Sequence, residues 1–384
     1  MTLSNRKILF LVSEDWYFLS HRLPIARAAQ KAGARVSVAT RVREHGAAIE
    51  AEGFTLYPLE LSRSGRNPFR DLAQIASIYR LYRRARPDIV HHVALKPSLY
   101  GSLAAWMAGT PSVVNAFAGM GYVFISNGPF ARIVRPLLAR AFRFLLNRAN
   151  TQTIVQNDDD RRLFTKRIGV DPEKIRVIRG SGVDLNQFKP PKEPRTPTVP
   201  VAVCVSRMLW DKGIGELVAA ARLLHSRGVS IKVRLVGPGD DNPAAIPQAQ
   251  LEEWSREGVI EVAGLSDDIP GVYANADIAV LPSYREGLPK SLLEAAAAGL
   301  PMVATDAPGC RDICRDGETG LLVPLKSVAP LASALERLAG DPAMRTAFGA
   351  AARSAAEADF SEARVVSETL TLYDALIANF IKHR

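Results

Sequence analysis

Apolar runs of five to seven residues recur along the chain, most of them separated by amphipathic stretches. In the first half they are KILFLV (7–12), RVSVAT (35–40), FTLYPL (54–59), DIVHHV (88–93), PSVVNAF (111–117), QTIVQN (152–157) and KIRVIR (174–179). Runs this short read as strands buried on both faces. Helical sequence between them predicts a parallel, doubly wound sheet. SHRLPIARAAQKAG (20–33) predicts one helix, ended by Gly33. KPPKEPRTPTVP (189–200) then places five prolines in twelve residues, which excludes a helix interior or a central strand and predicts a linker. A second series follows: VAVCVS (201–206), IKVRLVG (231–237), VIEVAG (259–264), DIAVLPS (277–283), PMVATD (301–306) and GLLVP (320–324). From Ser327 to Arg384 the pattern is helical only. Two Rossmann-like α/β domains are predicted, 1–188 and 201–360, followed by a helical tail, 361–384. Open sheets of this kind bind ligands beyond the carboxyl ends of their strands, so two of them facing each other predict a cleft.

Composition narrows the class. The chain has 384 residues, 47% apolar and 23% charged, which suits two soluble domains. No apolar run approaches the ~18 residues of a bilayer-spanning helix. Ile8 to Val12 reads as a strand rather than a signal peptide. Cys204, Cys310 and Cys314 fit neither a disulfide framework nor a zinc spacing, which points to reduced cytosolic thiols. The net charge of +10 is uneven: residues 1–190 hold 29 basic and 14 acidic side chains, the remainder 20 and 25. The first half therefore suits an anionic surface or substrate. No zinc finger, basic zipper or RNA-recognition signature accompanies the charge, which favours an anionic membrane over nucleic acid.

YREGLPKSLLEAAAAGLP (284–301) raises a question of chemistry. The pattern predicts a turn, a helix begun at Pro289 and a stop at Gly299. Glu294 falls among Leu and Ala, where a carboxylate is costly without a partner. It is either the solvent face of a short helix or a ligand contact. Glu286 precedes it by eight positions, beside a helix N-terminus whose N–H groups around Leu288 to Ser291 favour phosphate. Two acceptor-only groups flanking an anion site suit a sugar–diphosphate–ribose ligand. Glu294 would then accept from the ribose diol and Glu286 from the transferred sugar. Arg207 and Lys212, five positions apart just past a predicted strand end, would clamp the diphosphate without a metal. Taken singly, each is equally a solvated surface charge.

Arg207 and Lys212, VGPG (236–239), VAGLSDD (262–268) and the Glu286-x7-Glu294 element together resemble the donor half of glycosyltransferase family 4, over nearly all of residues 200–325. GSGVDLNQF (180–188) is similar to the family's segment before the linker. The resemblance implies the GT-B fold, retention of anomeric configuration, a nucleotide-sugar donor and no metal cofactor. It also implies a last helix, about 361–380, crossing back to the N-terminal domain. Carried onto this sequence, the donor-binding set is Arg207, Lys212, Gly237, Gly264, Leu265, Glu286, Gly287, Leu288, Pro289 and Glu294. Glu286, Lys212 and Arg207 take the catalytic roles.

The acceptor half departs from the usual family start, which has a glycine pair after the first strand; here the segment is SEDWYFLSHRLP (13–24). With VHHVALKPSLYG (90–101), NAFAGMGYVF (115–124) and VQNDDDRRLF (155–164), it resembles the subgroup acting on undecaprenyl-diphosphate-linked sugars. That subgroup includes N-acetylgalactosaminyltransferases acting on diacetylbacillosamine. Lys96 at a strand end is a candidate for the lipid diphosphate. Gly119 and Gly121 make either a tight turn or an anion-binding backbone. His21, His91 and His92 are candidates near the reacting sugar, or packed histidines. FARIVRPLLARAFRFLLNRA (130–149) places Phe130, Ile133, Val134, Leu137, Leu138, Ala141, Phe144 and Leu145 on one helical face, with Arg132, Arg135, Arg140 and Arg143 opposite. It is either a helix packed on the sheet or a membrane contact, and each Arg near anionic headgroups contributes roughly 1 kcal/mol. Residues 63–87 add seven arginines against one acid.

The expectation is a retaining glycosyltransferase, peripheral on the cytoplasmic face of the membrane. It would move a hexose or N-acetylhexosamine, from a UDP-sugar by preference, to a lipid-diphosphate-linked sugar. The alternatives are a non-hydrolysing UDP-sugar epimerase and a silent scaffold subunit.

Overall fold

The computed structural model describes residues 3–61, 68–119, 129–191, 195, 197–240 and 243–382. They fall into two compact units, 1–181 with 363–384, and 182–362. The division lies at Ser181 rather than in the Pro-rich run. That run belongs to the second unit, where Pro190 packs on Gly299 and Arg195 Nε donates to Asp277 at 3.0 Å.

The first unit holds seven parallel strands: β1 (Lys7–Glu14), β2 (Arg35–Arg41), β3 (Thr55–Pro58), β4 (Ile89–Val93), β5 (Ser112–Ala116), β6 (Thr151–Val155) and β7 (Ile175–Val177). Their order is β3-β2-β1-β4-β5-β6-β7. Alternation explains the unbroken apolar runs: Ile8, Phe10 and Val12 enter one core layer, Leu9 and Leu11 the other. The expected single helix at 20–33 is two, α1 (Asp15–His21) and α2 (Leu23–Lys31). Pro24 has no N–H and fits only a first turn, so the chain restarts there. α3 (Gly46–Ala51), α4 (Pro68–Ala85), α5 (Leu95–Ala108), α6 (Pro129–Leu146) and α7 (Asp158–Leu163) complete the crossovers.

α6 sits differently from its helical-wheel expectation. Its buried side is Phe142, Leu145 and Leu146, whereas Ile133, Leu137 and Phe144 face outward among Arg132, Arg140 and Arg143. The helix is rolled by roughly a quarter turn from the orientation that hides its apolar face.

The second unit holds six parallel strands: β8 (Val201–Val205), β9 (Lys232–Val236), β10 (Glu261–Gly264), β11 (Ile278–Leu281), β12 (Met302–Thr305) and β13 (Gly320–Val323). The order is β10-β9-β8-β11-β12-β13. Its helices are α8 (Ile214–Ser226), α9 (Gln248–Arg256), α10 (Ile269–Ala274), α11 (Lys290–Ala297), α12 (Val328–Gly340) and α13 (Pro342–Asp359). The last helix, α14 (Glu362–Lys382), belongs almost wholly to the first unit and buries Val365, Leu372, Tyr373, Leu376 and Ile377 in its core. Among the described residues no helix is long and apolar enough to cross a membrane.

Candidate active site

In each sheet the winding reverses beside the first strand, at β1/β4 and at β8/β11. Ligands of open α/β sheets bind at such switch points, outside the carboxyl ends. In the second unit both strands of the switch point end in the residues singled out above. Arg207 follows β8 and Glu286 follows β11.

The loop after β8 is held close by glycine. Gly213 takes a left-handed φ of +71°, and a Cβ there would lie 2.0 Å from the Pro282 carbonyl oxygen. No other residue lets the Trp210–Lys212 turn pack so tightly onto the end of β11. Tyr284 N–H donates to the Asp211 carbonyl at 3.0 Å and locks the approach. The result is direct contact between Lys212 Nζ and Glu286 Oε1, both side chains largely buried. Arg207 Nη1 donates to Asp240 Oδ2 at 2.5 Å. Gly237 at the end of β9 is equally constrained: a Cβ there would lie 1.9 Å from the Ser206 carbonyl oxygen, and its N–H donates to the Gly264 carbonyl at 2.7 Å. Leu265, next in the chain, is exposed.

Gly287 and Leu288 lead into α11. Pro289 is the residue capping the helix and Lys290 the first helical residue, so the helix begins one position later than expected. The Gly287 carbonyl lies against Gly309, where a Cβ would come within 2.5 Å. The first N–H groups of α11 point out of the helix here, the usual seat of a phosphate. Glu294 is not on a solvent face, being only 8% exposed. Lys290 Nζ lies 3.7 Å from its carboxylate, one turn earlier. Burial pushes the Glu294 pKa up to about 7, against the opposing pull of Lys290.

Arg207, Lys212, Glu286 and the start of α11 therefore share the carboxyl edge of one sheet. Two cationic side chains stand there next to carboxylates. Sequence reasoning missed Asp240, one residue beyond the VGPG run, and Gly309, whose role appears only through a backbone approach. It also missed Tyr284, whose hydroxyl donates to Glu216 Oε1 at 2.6 Å beneath Lys326 Nζ, 4.8 Å from the ring centre.

Comparison with known proteins gives the family. Residues 199–341 match the family model for glycosyl transferases group 1, and residues 7–157 match that for glycosyl transferase 4-like domains. The chain is 29% identical over 382 residues to the N,N'-diacetylbacillosaminyl-diphospho-undecaprenol alpha-1,3-N-acetylgalactosaminyltransferase of Campylobacter jejuni, covering 94% of this chain and 99% of the relative. The chain belongs to the family 4 glycosyltransferases. A second relative is the UDP-Gal:alpha-D-GlcNAc-diphosphoundecaprenol alpha-1,3-galactosyltransferase of Escherichia coli, 27% identical over 71% of each chain. Anabaena Alr3699/HepE, solved in complex with UDP, shares the GT-B fold with a TM-score of 0.76 at 18% identity, over 96% of this chain and 100% of that one. These matches do not favour the epimerase or the scaffold.

In the first unit of the glycosyltransferase, His21, Lys96 and Gly119 follow β1, β4 and β5, three adjacent strands. His21 Nδ1 bonds Ser20 Oγ at 2.6 Å, and its ring stacks on Tyr17 with centroids 4.0 Å apart. Lys96 Nζ lies 3.4 Å from Asp71 Oδ1. Gly119 has φ +97°; Gly121 lies outside the described residues. His91 and His92 are core histidines. His92 bonds Tyr82 Oη at 2.9 Å and Asn115 Oδ1 at 2.8 Å, and burial lowers its pKa to about 4. His91 bonds the Tyr373 hydroxyl at 2.5 Å and stacks on Phe10. Burial, then the charge of Arg22, lowers its pKa. Among the described residues no three His, Cys, Asp or Glu side chains gather as a metal site.

Proposed function

We propose that this glycosyltransferase moves an N-acetylhexosamine or hexose from a UDP-sugar to a sugar linked through diphosphate to undecaprenol. It does so with retention, without a metal, on the cytoplasmic face of the membrane that carries the acceptor. The observation that carries the donor half is the Lys212–Glu286 contact at the β8/β11 switch point. The relatives named above supply the acceptor class.

In the ligand-free protein Lys212 and Glu286 neutralise one another. A donor divides the pair: Lys212 turns with Arg207 to the diphosphate, and Glu286 takes hydroxyls of the sugar. The bond from the anomeric carbon to the diphosphate oxygen breaks as the acceptor hydroxyl oxygen bonds that carbon on the same face. The hydroxyl proton passes to the departing diphosphate oxygen, so no separate base is required. Arg207, Lys212 and the α11 N-terminus stabilise the charge that develops. Glu294 accepts from the ribose diol.

The test is a panel of nucleotide sugars assayed against lipid-diphosphate-linked acceptors, with the product linkage read by NMR and a parallel set in EDTA. Transfer with an α-linked product from an α-linked donor, undiminished by EDTA, is expected. An inverted product or abolition by EDTA would overturn the mechanism; a donor epimerised in the absence of acceptor would overturn the reaction.

A further inference from the structure

The outward side of α6 leaves three large apolar side chains exposed among the described residues. Ile133 is 69% exposed, Leu137 61% and Phe144 52%, three large side chains on one stripe of one helix. The stripe continues onto the end of α5, where Trp106, 46% exposed, meets Phe144 edge to face with centroids 5.4 Å apart. Scattered apolar side chains on a surface need no explanation, but a contiguous stripe rimmed by charge marks an interaction surface.

The rim decides what the surface meets. Arg132, Arg140 and Arg143 are exposed on the same helix, and residues 129–149 contain five arginines and no acid. The Arg148 guanidinium lies 5.7 Å from the centre of the Trp106 ring and 5.6 Å from that of Phe144, capping the aromatic pair with positive charge. A helix that buries Phe142, Leu145 and Leu146 on one side turns a second apolar stripe outward beside its arginines. Apolar side chains for the acyl boundary, an indole at the interface and arginines for phosphates are what a helix lying in the plane of an anionic bilayer presents. A protein partner would need an acidic rim of its own.

We propose that the outer face of α6, with Trp106, is the seat of this enzyme on a phosphatidylglycerol-containing bilayer. Ile133, Leu137 and Phe144 enter the acyl boundary, and the arginines engage headgroup phosphates. This rests on the reading that the acceptor is lipid-linked, since a seat on the bilayer brings the enzyme to it.

The experiment is co-sedimentation of the full chain with phosphatidylglycerol-containing vesicles and with phosphatidylcholine vesicles. The wild-type protein should favour the anionic vesicles and bind them more weakly as salt rises. The triple variant Ile133→Glu, Leu137→Glu, Phe144→Glu should lose about tenfold or more in vesicle affinity. It should keep its thermal midpoint and its turnover of a short-chain, water-soluble acceptor. As a milder probe, Leu137→Cys should accept an environment-sensitive dye selectively, because the three native cysteines are buried. Its emission should shift to the blue on anionic vesicles only. Undiminished binding of the triple variant, or no dye shift, overturns the proposal. So does a wild-type dimer that the triple variant converts to monomer without change in vesicle binding. Vesicle binding that depends on this face, with no transfer to any lipid-diphosphate acceptor, would instead overturn the acceptor reading and leave the surface standing.

Discussion

The chemistry turns on single side chains, and two of them make separable predictions. Lys212 is held at the switch point by Glu286, so on the proposed mechanism its loss removes a cation available to the leaving group. Lys212→Ala should lower kcat by about two orders of magnitude, the usual consequence of losing one preorganised electrostatic partner. Steady-state kinetics with the native donor would show it, and an unchanged kcat would remove Lys212 from the mechanism. Glu294 makes a prediction about pH. Its pKa of about 7 lies above the ordinary carboxylate value, so burial favours the protonated form in the free protein. On the proposed reading a ribose diol donates to the carboxylate, so binding must draw the pKa back down and release a proton. UDP affinity should therefore fall as pH drops from 8 to 6. Near neutral pH, binding should release about half a proton. Calorimetry in buffers of different ionisation enthalpy measures that release. Glu294→Gln should abolish both the release and the pH slope; a slope surviving the substitution would belong to another group. The same shift carries a stability consequence of defined sign. A carboxyl with a raised folded pKa adds stability below its unfolded pKa, and that contribution is lost as pH rises through about 7.

At the scale of elements, the close approaches between backbone segments matter more than any side chain. Gly213 and Gly237 let the loops after β8 and β9 press on neighbouring carbonyls. Gly213→Ala places a Cβ against the Pro282 oxygen in a backbone conformation that L-residues disfavour. It should weaken UDP binding by about tenfold or more by lifting Lys212 away from Glu286, while β8 and β11 stay paired. Calorimetry with UDP, alongside far-UV circular dichroism, separates that outcome from general unfolding. Such approaches explain the limits of the sequence. Apolar runs placed every strand to within a few residues, because buried parallel strands cannot be written otherwise. Glu294 stood out because a carboxylate in an apolar segment contradicts its surroundings, and Glu286 through its spacing from Glu294 beside a helix N-terminus. Gly309 and Asp240 carried no such signal, since a glycine after a proline or an Asp in a loop is ordinary until the fold brings a partner to it. The histidines fail in the opposite direction. His91 and His92 lie at the expected strand, but β4 is central in its sheet, so both rings are enclosed by packing. A base whose folded pKa is lowered stabilises the protein above the unfolded pKa and loses that contribution as pH falls. With His92 at about 4, the first unit should lose about 3 kcal/mol between pH 6.5 and 4, visible as a falling unfolding midpoint. His92→Gln should make that part of the profile shallower, with the remaining slope belonging to His91, whose pKa burial also lowers.

Over the whole molecule, the division of labour follows from two sheets of the same design carrying opposite chemistry. The second unit brings its two cations and two carboxylates to one carboxyl edge; the first sets His21, Lys96 and Gly119 at the ends of three adjacent strands. The charge imbalance runs the same way as the proposed split, with the basic excess in the half proposed to meet a lipid diphosphate and the acidic excess in the half proposed to meet a sugar and a ribose. Hydrogen exchange can test the assignment directly. UDP alone should slow exchange at 206–213 and 284–294, because the proposed phosphate seat and ribose contact both lie there. A short-chain lipid diphosphate sugar should slow exchange at 15–22 and 95–101, the segments following β1 and β4. The two footprints should be separable on the proposed assignment of donor and acceptor to different units. If UDP instead protected the segments after β1 and β4, the donor would belong to the first sheet. The roles given to Arg207, Lys212, Glu286 and Glu294 would then fall together, because all four depend on the same ligand lying across the β8/β11 switch point.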